Sequence, residues 1–443
     1  MLADQSSRGK ASMKLNHQSR RSTFQTASGV ARHGRLPKHR GWATLLKGTA
    51  AALAVVMVST ASVAAYATWN VTHQIKENSV DLTINDDTPA PTPELADLEG
   101  GFNVLFVGAD NEAGQDQAAF GKRDATLNDF NMLLHVSADH TNATAVSIPR
   151  DLIIPHPSCT DPATGDTYGA MSAQPMNVAM SRGGLACVVD TVENLTGLDI
   201  PYAAVLTFAG VRGISDAIGG VEVCLADPVK DTDSGLDLPA GLQTLNGDDA
   251  LKFLRTRHGV GDGSDLARIS GQQAYLSSLL RKVKSDGTLT NVSTLYNLAT
   301  VAASTTTLSS NLANVDQMIG MARVFRNMDL NNVTFVQYPA GDDRNYPGKV
   351  VPIKAQADDL FVRINADQPV TLDGDSTGPG TALSPDSAPP APAPTAETTI
   401  PAETAAPGGT AGPVAPAAPA TTLPPLDLRG QSAAQQTCSV GQN

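Results

Sequence analysis

The 443-residue sequence predicts an α/β protein: a layered α/β/α domain with a central mixed sheet, preceded by one transmembrane helix and followed by a disordered tail. Three observations lead to this prediction. Apolar runs typical of buried strands alternate with helical patterns between residues 100 and 366. Residues 48–68 contain no charge and are numerous enough to cross a bilayer as a helix. Residues 367–443 are rich in Pro, Ala and Thr, and from residue 370 onward they contain no aromatic residue, so they bury too little apolar surface to fold.

The N-terminal region predicts a membrane anchor. Residues 1–47 carry 10 of the 31 basic residues and a single acid, which is typical of a cytoplasmic segment. Residues 48–68 form the transmembrane helix, and the proline-containing residues 69–99 form an extracellular stalk. A cleaved signal peptide is the alternative, because Ala65-Tyr66-Ala67 has the small residues of a cleavage site. Either interpretation places the rest of the chain outside the membrane.

Six strands and six helices are predicted along the domain of residues 100–366. The strands are apolar runs at 102–108, 131–137, 144–148, 203–208, 221–225 and 333–338. The helices have apolar residues at helical spacing, at 185–195, 208–218, 246–254, 265–284, 292–303 and 315–325. This interleaving favours a sheet with helices on both faces.

The charge distribution argues against one class of function. The formal net charge is -13, and removing residues 1–47 leaves 21 basic and 43 acidic residues, a net charge of -22. The predicted domain therefore lacks the general cationic surface of a nucleic-acid-binding protein. The sequence also contains no P-loop, no zinc motif and no Gly-x-Ser-x-Gly nucleophile motif.

The four cysteines are expected to lie in an oxidising compartment. Cys159, Cys187 and Cys224 fall within the predicted domain and Cys438 falls within the tail. Three full pairings are possible, and we favour Cys159–Cys187, which closes a loop between the polar segment after Pro149 and a helix. The alternative is that the cysteines of the domain are buried thiols. No two cysteines have metal-ligand spacing, so a metal cluster is not expected.

Arginines are the candidate catalytic and substrate-binding residues. Arg150 comes directly after a proline at the end of a predicted strand, where ligands bind in open α/β sheets. Arg255 and Arg257 lie where a helix runs out into glycines, and Asp265, Arg268 and Gln272 share one face of the next helix. Converging guanidinium groups bind a pyrophosphate bidentately. The alternative is that each arginine is a surface ion-pair partner.

Two carboxylates are the candidate metal ligands. Asp110 follows the first predicted strand and Asp129 precedes the second, so antiparallel pairing would bring both to one end of the sheet. Two oxygen ligands together with substrate phosphates are a usual way to hold Mg²⁺. The ion would neutralise a pyrophosphate and stabilise charge as its bond breaks. The alternative for either acid is a capping or solvated role.

Six segments, in this order along the chain, resemble the LytR-CpsA-Psr family. They contain the runs NVLFVGAD, MLLHV, SIPRD, NVAMSRGG, TVENLTGLDI, AIGGVEV, LNGDDALKFLRTRH and GDGSDLARISGQQ. The match covers roughly residues 100–285, with a less distinctive part running to about residue 366. The resemblance implies an α/β/α layered domain with an apolar pocket for a lipid.

The resemblance also implies an activity. Members move a glycopolymer from a polyprenyl-pyrophosphate carrier to peptidoglycan through a phosphodiester, with magnesium, on the outer face of the cytoplasmic membrane. By motif position, Asp110 and Asp129 would bind Mg²⁺. The residues that would hold the pyrophosphate are Arg150, Arg255, Arg257, Arg268 and Gln272. Arg150, Arg255 and Arg257 would be the catalytic residues.

The chain departs from the family pattern at three places where the family often has an arginine. These are Glu112, Leu127-Asn128 and Gly271. Arg123 or Lys122 in the preceding loop is expected to supply a substitute charge to the pyrophosphate. An offset alignment would make Asp124, instead of Asp129, the second metal ligand. The missing cations predict weaker phosphate binding, and hence a slower enzyme or one tuned to a different carrier.

Other functions fit parts of the same pattern. A pyrophosphatase would carry out the same chemistry with water as acceptor. A non-catalytic wall-polymer or lipid-carrier binding protein would need the arginines without the metal, and a structural anchor would use only the tail. Among the histidines, His258 beside Arg257 is the better acid–base candidate. The tail and cysteine placement resemble actinobacterial members, which suggests arabinogalactan or a related polymer.

Overall fold

A computed structural model describes residues 41–82, 100–110, 126–285, 288, 291–373, 376–385 and 424–442. The chain divides into two compact units, Met1–Val63 and Ala64–Asn443.

The described helices are α1 (Gly41–Glu77), α2 (Met180–Thr196), α3 (Phe208–Ala217), α4 (Gly247–Arg255), α5 (Asp265–Ser285), α6 (Val292–Thr305), α7 (Val315–Asn327) and α8 (Lys354–Asn365). The first ten described strands are β1 (Ser79–Val80), β2 (Phe102–Ala109), β3 (Asn128–Val136), β4 (Ala143–Ser147), β5 (Ile153–His156), β6 (Cys159–Thr160), β7 (Thr167–Tyr168), β8 (Met171–Pro175), β9 (Tyr202–Leu206) and β10 (Val221–Leu225). The others are β11 (Val229–Asp231), β12 (Leu236–Leu238), β13 (Gly241–Leu245), β14 (Thr306–Ser309), β15 (Val333–Gln337), β16 (Ala340–Asp342), β17 (Val350–Pro352), β18 (Thr381–Leu383), β19 (Gly430–Ser432) and β20 (Thr437–Ser439).

Helix α1 contains the uncharged segment. Side chains such as Leu53, Val56 and Met57 are exposed along it. By length and composition, Leu45–Glu77 is long and apolar enough to cross a membrane, and it is the one such stretch among the described residues.

The end of α1 belongs to the folded domain, which corrects the predicted stalk of residues 69–99. Val71 and Ile75 lie on one helix face and are buried in an apolar cluster that also contains Leu308. Strand β1 then pairs in parallel with β14. Residues 83–99 lie outside the described part of the chain.

An eight-stranded mixed sheet forms the centre of the second unit, in the order β1-β14-β9-β2-β3-β4-β15-β19. The pairs β1–β14, β2–β9 and β4–β15 are parallel, whereas the other neighbours are antiparallel. A second sheet has the order β13-β10-β20-β18.

Alternating side chains of the central strands supply two apolar layers. Leu105 and Val107 of β2 lie in a cluster with residues of α2 and α8, such as Val188 and Leu360. Val104 lies in a different cluster, which includes residues of α1, α6 and α7. The sheet is thus covered by helices on both faces, and the predicted α/β/α layering is confirmed.

The six predicted strands and six predicted helices all form, with ends that shift by a few residues. The largest shift at a strand start is in β3, which begins at Asn128 instead of residue 131. Asn128 is buried, and its amide donates to Asn131 Oδ1 and to the carbonyl of Met176. Asp129 therefore lies within β3. The sequence did not predict the strand to start so early because Asn128 and Asp129 are polar, but the hydrogen bonds of Asn128 allow it to be buried there.

The predicted domain end at residue 366 and the disordered tail of residues 367–443 need correction. Within the tail, β19 joins the edge of the central sheet beside β15, and β20 lies between β10 and β18. A disulfide, Cys224–Cys438, links β20 to β10. Backbone pairing and this bond stabilise a segment whose composition alone predicts no core. Residues 386–423 lie outside the described part of the chain.

The predicted Cys159–Cys187 disulfide is confirmed. It joins β6 to α2, and both sulfur-bearing residues are buried. Helix α2 is interrupted at Gly183-Gly184, where Gly184 has a φ of 63°. A Cβ on Gly183 would lie 2.5 Å from Cys187 Sγ. The disulfide therefore packs directly against the backbone of Gly183, and any larger residue there would force the two apart.

Candidate active site

A cavity of about 440 Å³ opens at one edge of the central sheet. Strands β2, β4 and β9 end at this edge and β3 begins there, because β3 runs antiparallel to both β2 and β4. Ligands of α/β sheets commonly bind at the carboxyl ends of strands. Gly108, at the end of the first predicted strand, and Arg150 both line this cavity.

One part of the cavity is apolar and is built by three helices. The residues of α3, α4 and α5 that line it are Phe208, Val211, Ile214, Leu251, Leu254, Leu276 and Leu279. Helix α3 starts directly after β9 because Thr207 caps it, accepting a hydrogen bond from the N–H of Gly210 at 3.0 Å. The cap therefore helps to set where α3 begins after β9, and so where its apolar residues lie in the cavity.

Arg150 lies at the polar end of the cavity, among three carboxylates. Its Nη1 donates to Asp129 Oδ1 at 2.9 Å. Its Nε lies 3.5 Å from Asp265 Oδ1 and 3.6 Å from Asp151 Oδ2. Partial burial would lower the pKa of Arg150, but the negative charges of Asp129, Asp265 and Asp151 outweigh it and raise the pKa.

Arg268 is buried beside Arg150, and Asp265 separates the two cations. Arg268 Nη2 lies 2.6 Å from Asp265 Oδ1, and the same nitrogen donates to the carbonyl of Asp129 at 2.9 Å. Burial lowers the pKa of Arg268, and the neighbouring charge of Asp265 partly opposes this. The i, i+3 spacing of Asp265 and Arg268 on α5 makes the contact possible.

Arg255 and Arg257 come from the end of α4. The guanidinium of Arg255 lies 4.5 Å from the centre of the Phe208 ring, so the ring face orients it at the cavity wall. The backbone N–H of Arg257 donates to Asp231 Oδ2 at 2.9 Å. Its buried Nε makes no hydrogen bond with any described residue and is available to an incoming acceptor.

Asp231 holds the backbone around Arg257. The hydroxyl of Thr256 donates to Asp231 Oδ2 at 2.6 Å, and the N–H groups of Asp233 and Ser234 donate to Oδ1. Burial alone would raise the pKa of Asp231, but the hydrogen bonds, led by that of Thr256, lower it to about 2.

Four arginines line the cavity together with the apolar wall of α3, α4 and α5. Arg150 and Arg268 share Asp265 at the polar end, whereas Arg255 lies against the ring of Phe208. The carboxylates that contact these arginines are Asp129, Asp151, Asp231 and Asp265. Such an array binds a dianionic or polyanionic group and leaves room beside it for an apolar chain.

The LytR_cpsA_psr family matches residues 55–359 of the chain. The chain belongs to the LytR-CpsA-Psr family. It is 33% identical over 265 residues to the cell wall biosynthesis protein LcpA of Corynebacterium glutamicum, and the match covers 54% of this chain and 50% of LcpA. The chain thus spans about half the length of this relative.

Two further similarities extend the comparison. The chain is 28% identical over 260 residues to the polyisoprenyl-teichoic acid–peptidoglycan teichoic acid transferase TagT of Bacillus subtilis, covering 57% of this chain and 75% of TagT. A solved structure of the LytR-Csp2A-Psr enzyme from Actinomyces oris is 22% identical, with a TM-score of 0.47, and the match covers 62% of this chain and 96% of that chain.

Most of the pyrophosphate-binding residues predicted from the family pattern meet in the cavity. Those that line it are Arg150, Arg255, Arg257, Arg268 and Gln272, and the predicted metal ligand Asp129 lines it as well. Gln272 turns its side-chain amide to the carbonyl of Leu254, to which it donates at 2.9 Å, and so ties α5 to α4. Arg123 and Asp124 lie outside the described residues.

Asp110 lies near this group but does not line the cavity. It follows β2, at the edge where β3 begins, and it is buried. Its Oδ1 accepts a hydrogen bond from the N–H of Leu127 at 2.9 Å, and its own N–H donates to the carbonyl of Leu127. These contacts join the end of β2 to the residues before β3.

Two carboxylates that contact the arginines were given no role from the sequence. The spacing of Asp265 and Arg268 predicted that they share a helix face. It did not predict that Asp265 is buried and also contacts Arg150. Asp231 lies in the β11–β12 hairpin, and nothing in its local pattern indicates a contact with Arg257, 26 residues away.

Proposed function

We propose that this protein is a membrane-anchored phosphotransferase that moves a glycopolymer from a polyprenyl-pyrophosphate carrier to peptidoglycan. The observation that carries the proposal is that Arg150, Arg255, Arg257 and Arg268 line a cavity divided between these cationic side chains and an apolar wall. A polyprenyl diphosphate has the same division, with charge at one end and a hydrocarbon chain at the other. The relatives named as cell-wall biosynthesis proteins and as a peptidoglycan teichoic acid transferase agree with this activity.

The reaction assigns distinct tasks to the cavity residues. A peptidoglycan hydroxyl oxygen attacks the phosphorus that carries the glycopolymer and loses its proton, and the bond from that phosphorus to the bridging oxygen breaks. Polyprenyl phosphate leaves with the electron pair. Guanidinium groups of Arg150, Arg257 and Arg268 would bind the phosphate oxygens, whose charge grows as this bond breaks. With water in place of the hydroxyl, the same attack gives the pyrophosphatase reaction.

Magnesium is proposed as the cofactor. Asp129, which lines the cavity, and Asp110, at the same edge of the sheet, are oxygen donors of the kind that Mg²⁺ prefers. Among the described residues no group of three or more His, Cys, Asp or Glu forms a protein-only metal cage. This donor set fits an ion held by one or two carboxylates and completed by substrate phosphates. The bound ion would supply charge neutralisation at the diphosphate.

The proposed location is the outer face of the cytoplasmic membrane, with residues 48–68 of α1 as the transmembrane span. The basic residues of 1–47 and the net acidic remainder favour this orientation. The wall polymer proposed from the sequence is arabinogalactan or a related heteropolysaccharide, and the loss of that polymer from the wall on depletion of the protein would identify it.

The first prediction tests the chemistry with the full chain in detergent and geranyl pyrophosphate as substrate. Phosphate release should depend on Mg²⁺. Arg150→Ala should lower its rate by about 10²–10³-fold because it removes a cation from the diphosphate end, and Asp129→Asn should do so because it removes a proposed Mg²⁺ ligand. Arg212→Ala is the matched control, since Arg212 lies on α3 in an ion pair with Asp248 and does not line the cavity.

The outcome separates the transferase from its alternatives. Tight binding of geranyl pyrophosphate without magnesium-dependent release of phosphate would indicate a lipid-carrier binding protein. Equal rates for Asp110→Asn, Asp129→Asn and the unaltered chain would contradict the proposed metal ligands. Equal rates for Arg150→Ala and Arg212→Ala would contradict the proposed site.

A further inference from the structure

We propose that β20 and the residues after it position the active site by holding the arginine loop, which we define as residues 256–264. The loop joins α4 to α5 and carries Arg257 and His258, both of which line the cavity. This inference rests on the proposed function, because it assigns the loop's arginine to the diphosphate.

The arginine loop has little tendency to adopt one conformation by itself. It contains Gly259, Gly261 and Gly263, and the last two have φ values of 52° and 75°. Glycines lose more backbone freedom on ordering than other residues. Contacts from outside the loop must therefore determine where Arg257 lies.

One end of the loop is fixed by Asp231, as described above, and the middle is fixed by the segment after β20. The N–H of Gly261 donates to the carbonyl of Val440 at 2.9 Å, and the N–H of Gln442 donates to the carbonyl of Gly259 at 3.1 Å. Val260 and Gly441 form an antiparallel bridge. The loop is thus paired with a segment nearly 180 residues further along the chain.

Gly261 of the loop and Gly441 of the segment after β20 each lie against the backbone of a further segment, with no room for a side chain. A Cβ on Gly261 would lie 2.3 Å from the carbonyl oxygen of Pro379, just before β18. A Cβ on Gly441 would lie 2.5 Å from the carbonyl oxygen of Pro228. The loop is therefore packed against the residues before β18, and the segment that pairs with it is packed against the residues before β11.

Strand β20 is itself held by a covalent bond. It pairs with β10 at only two positions, Cys224 with Cys438 and Leu225 with Ser439, and the first pair is the disulfide. The N–H of Ala226 also donates to the carbonyl of Ser439. The disulfide thus ties the element that holds the arginine loop to β10 of the second sheet.

The second prediction tests this with a protease site inserted within residues 386–423 of the full chain. Cut and uncut protein are compared, each oxidised and reduced. Only the cut and reduced protein loses the covalent link to residues 424–443, because the peptide chain or the disulfide retains it in the other three states. After size exclusion removes the released peptide, hydrogen exchange of residues 256–264 and binding of geranyl pyrophosphate are measured.

Release of the peptide should increase exchange at Gly261 and should weaken geranyl pyrophosphate binding by about tenfold, the effect of losing one charge-assisted contact. Arg257→Ala should weaken binding by a similar factor in the uncut protein. In the protein lacking the peptide, Arg257→Ala should have no further effect, because both changes remove the same contact. The uncut reduced protein controls for loss of Cys159–Cys187.

A shortened chain ending at Val440 provides a second variant, in which β20 and both disulfides remain. It lacks the N–H of Gln442 and the Gly441 bridge, so it should show faster exchange in the arginine loop at an unchanged melting temperature. Unchanged exchange and binding after release of the peptide would overturn the inference, as would fully additive effects of release and Arg257→Ala. If the uncut protein did not bind geranyl pyrophosphate, the proposed function would fail, and the exchange comparison would still decide the role of β20.

Discussion

Single aspartates decide where the arginines of the cavity can lie. Asp265 is buried between Arg150 and Arg268, and without its charge these two guanidinium groups would face one another with no neutralising partner on α5. Asp231 acts on the backbone instead, accepting from Thr256 and from the N–H of Arg257. Substrate phosphates would meet cations that the protein has already oriented.

The third prediction concerns the pH dependence of stability that Asp231 confers. Its pKa is lowered in the folded protein to about 2, so its stabilising effect is complete above about pH 4 and is lost as pH falls towards 2. Asp231→Asn should lower the free energy of unfolding by about 1–3 kcal/mol at pH 6, and the difference should shrink between pH 4 and 2. Chemical denaturation at several pH values measures it.

Asp237→Asn is the control for this prediction, because Asp237 lies in the same hairpin in an exposed pair with Lys230. It should change the free energy of unfolding by less than about 1 kcal/mol at pH 6. The difference in free energy of unfolding between Asp231→Asn and the unaltered protein should not stay constant down to pH 2. A constant difference would contradict the lowered pKa of Asp231.

At the scale of elements, helices α3, α4 and α5 form the apolar wall and β19 completes the central sheet. The local signals for the three helices were strong, and their bounds in the structure agree with the predicted ones to within one residue. Strand β19 gave no such signal, since Gly430-Gln431-Ser432 has no apolar side chain. Its position depends on backbone pairing with β15.

The fourth prediction tests whether β19 contributes to stability as a strand of the sheet. A Cβ on Gly430 would lie 2.1 Å from the carbonyl oxygen of Phe335, so Gly430→Ala should displace β19 and lower the free energy of unfolding by about 1–3 kcal/mol. Gly169→Ala is the control, because its Cβ would have no atom within 4 Å. Equal melting temperatures for the two variants would show that β19 adds nothing measurable.

Across the whole molecule, two disulfides join segments at very different separations. Cys159–Cys187 closes 28 residues, whereas Cys224–Cys438 closes 214 residues and fastens the predicted tail to the domain. The longer closure removes more freedom from the unfolded chain.

The fifth prediction compares the two bonds. From loop-closure entropy, Cys224→Ser with Cys438→Ser should lower the free energy of unfolding by about 5 kcal/mol, and Cys159→Ser with Cys187→Ser by about 4 kcal/mol. Denaturant unfolding of both double variants measures this difference. If removing Cys159–Cys187 lowered the free energy of unfolding more than removing Cys224–Cys438, local packing around Cys187, and not chain entropy, would determine how much each disulfide stabilises the fold.

The sequence by itself determined six strands and six helices of the domain, the layered α/β/α class, the family and the arginines that line the cavity. These follow from patterns within short segments, because the side-chain periodicity of a strand or a helix is a local property. Only the tertiary structure decided that Asp265 separates two arginines, that Asp231 and β20 hold the arginine loop, and that part of the predicted tail folds. These features pair residues as distant as Cys224 and Cys438, and such pairing depends on the summed contacts of the whole fold, which no local pattern records.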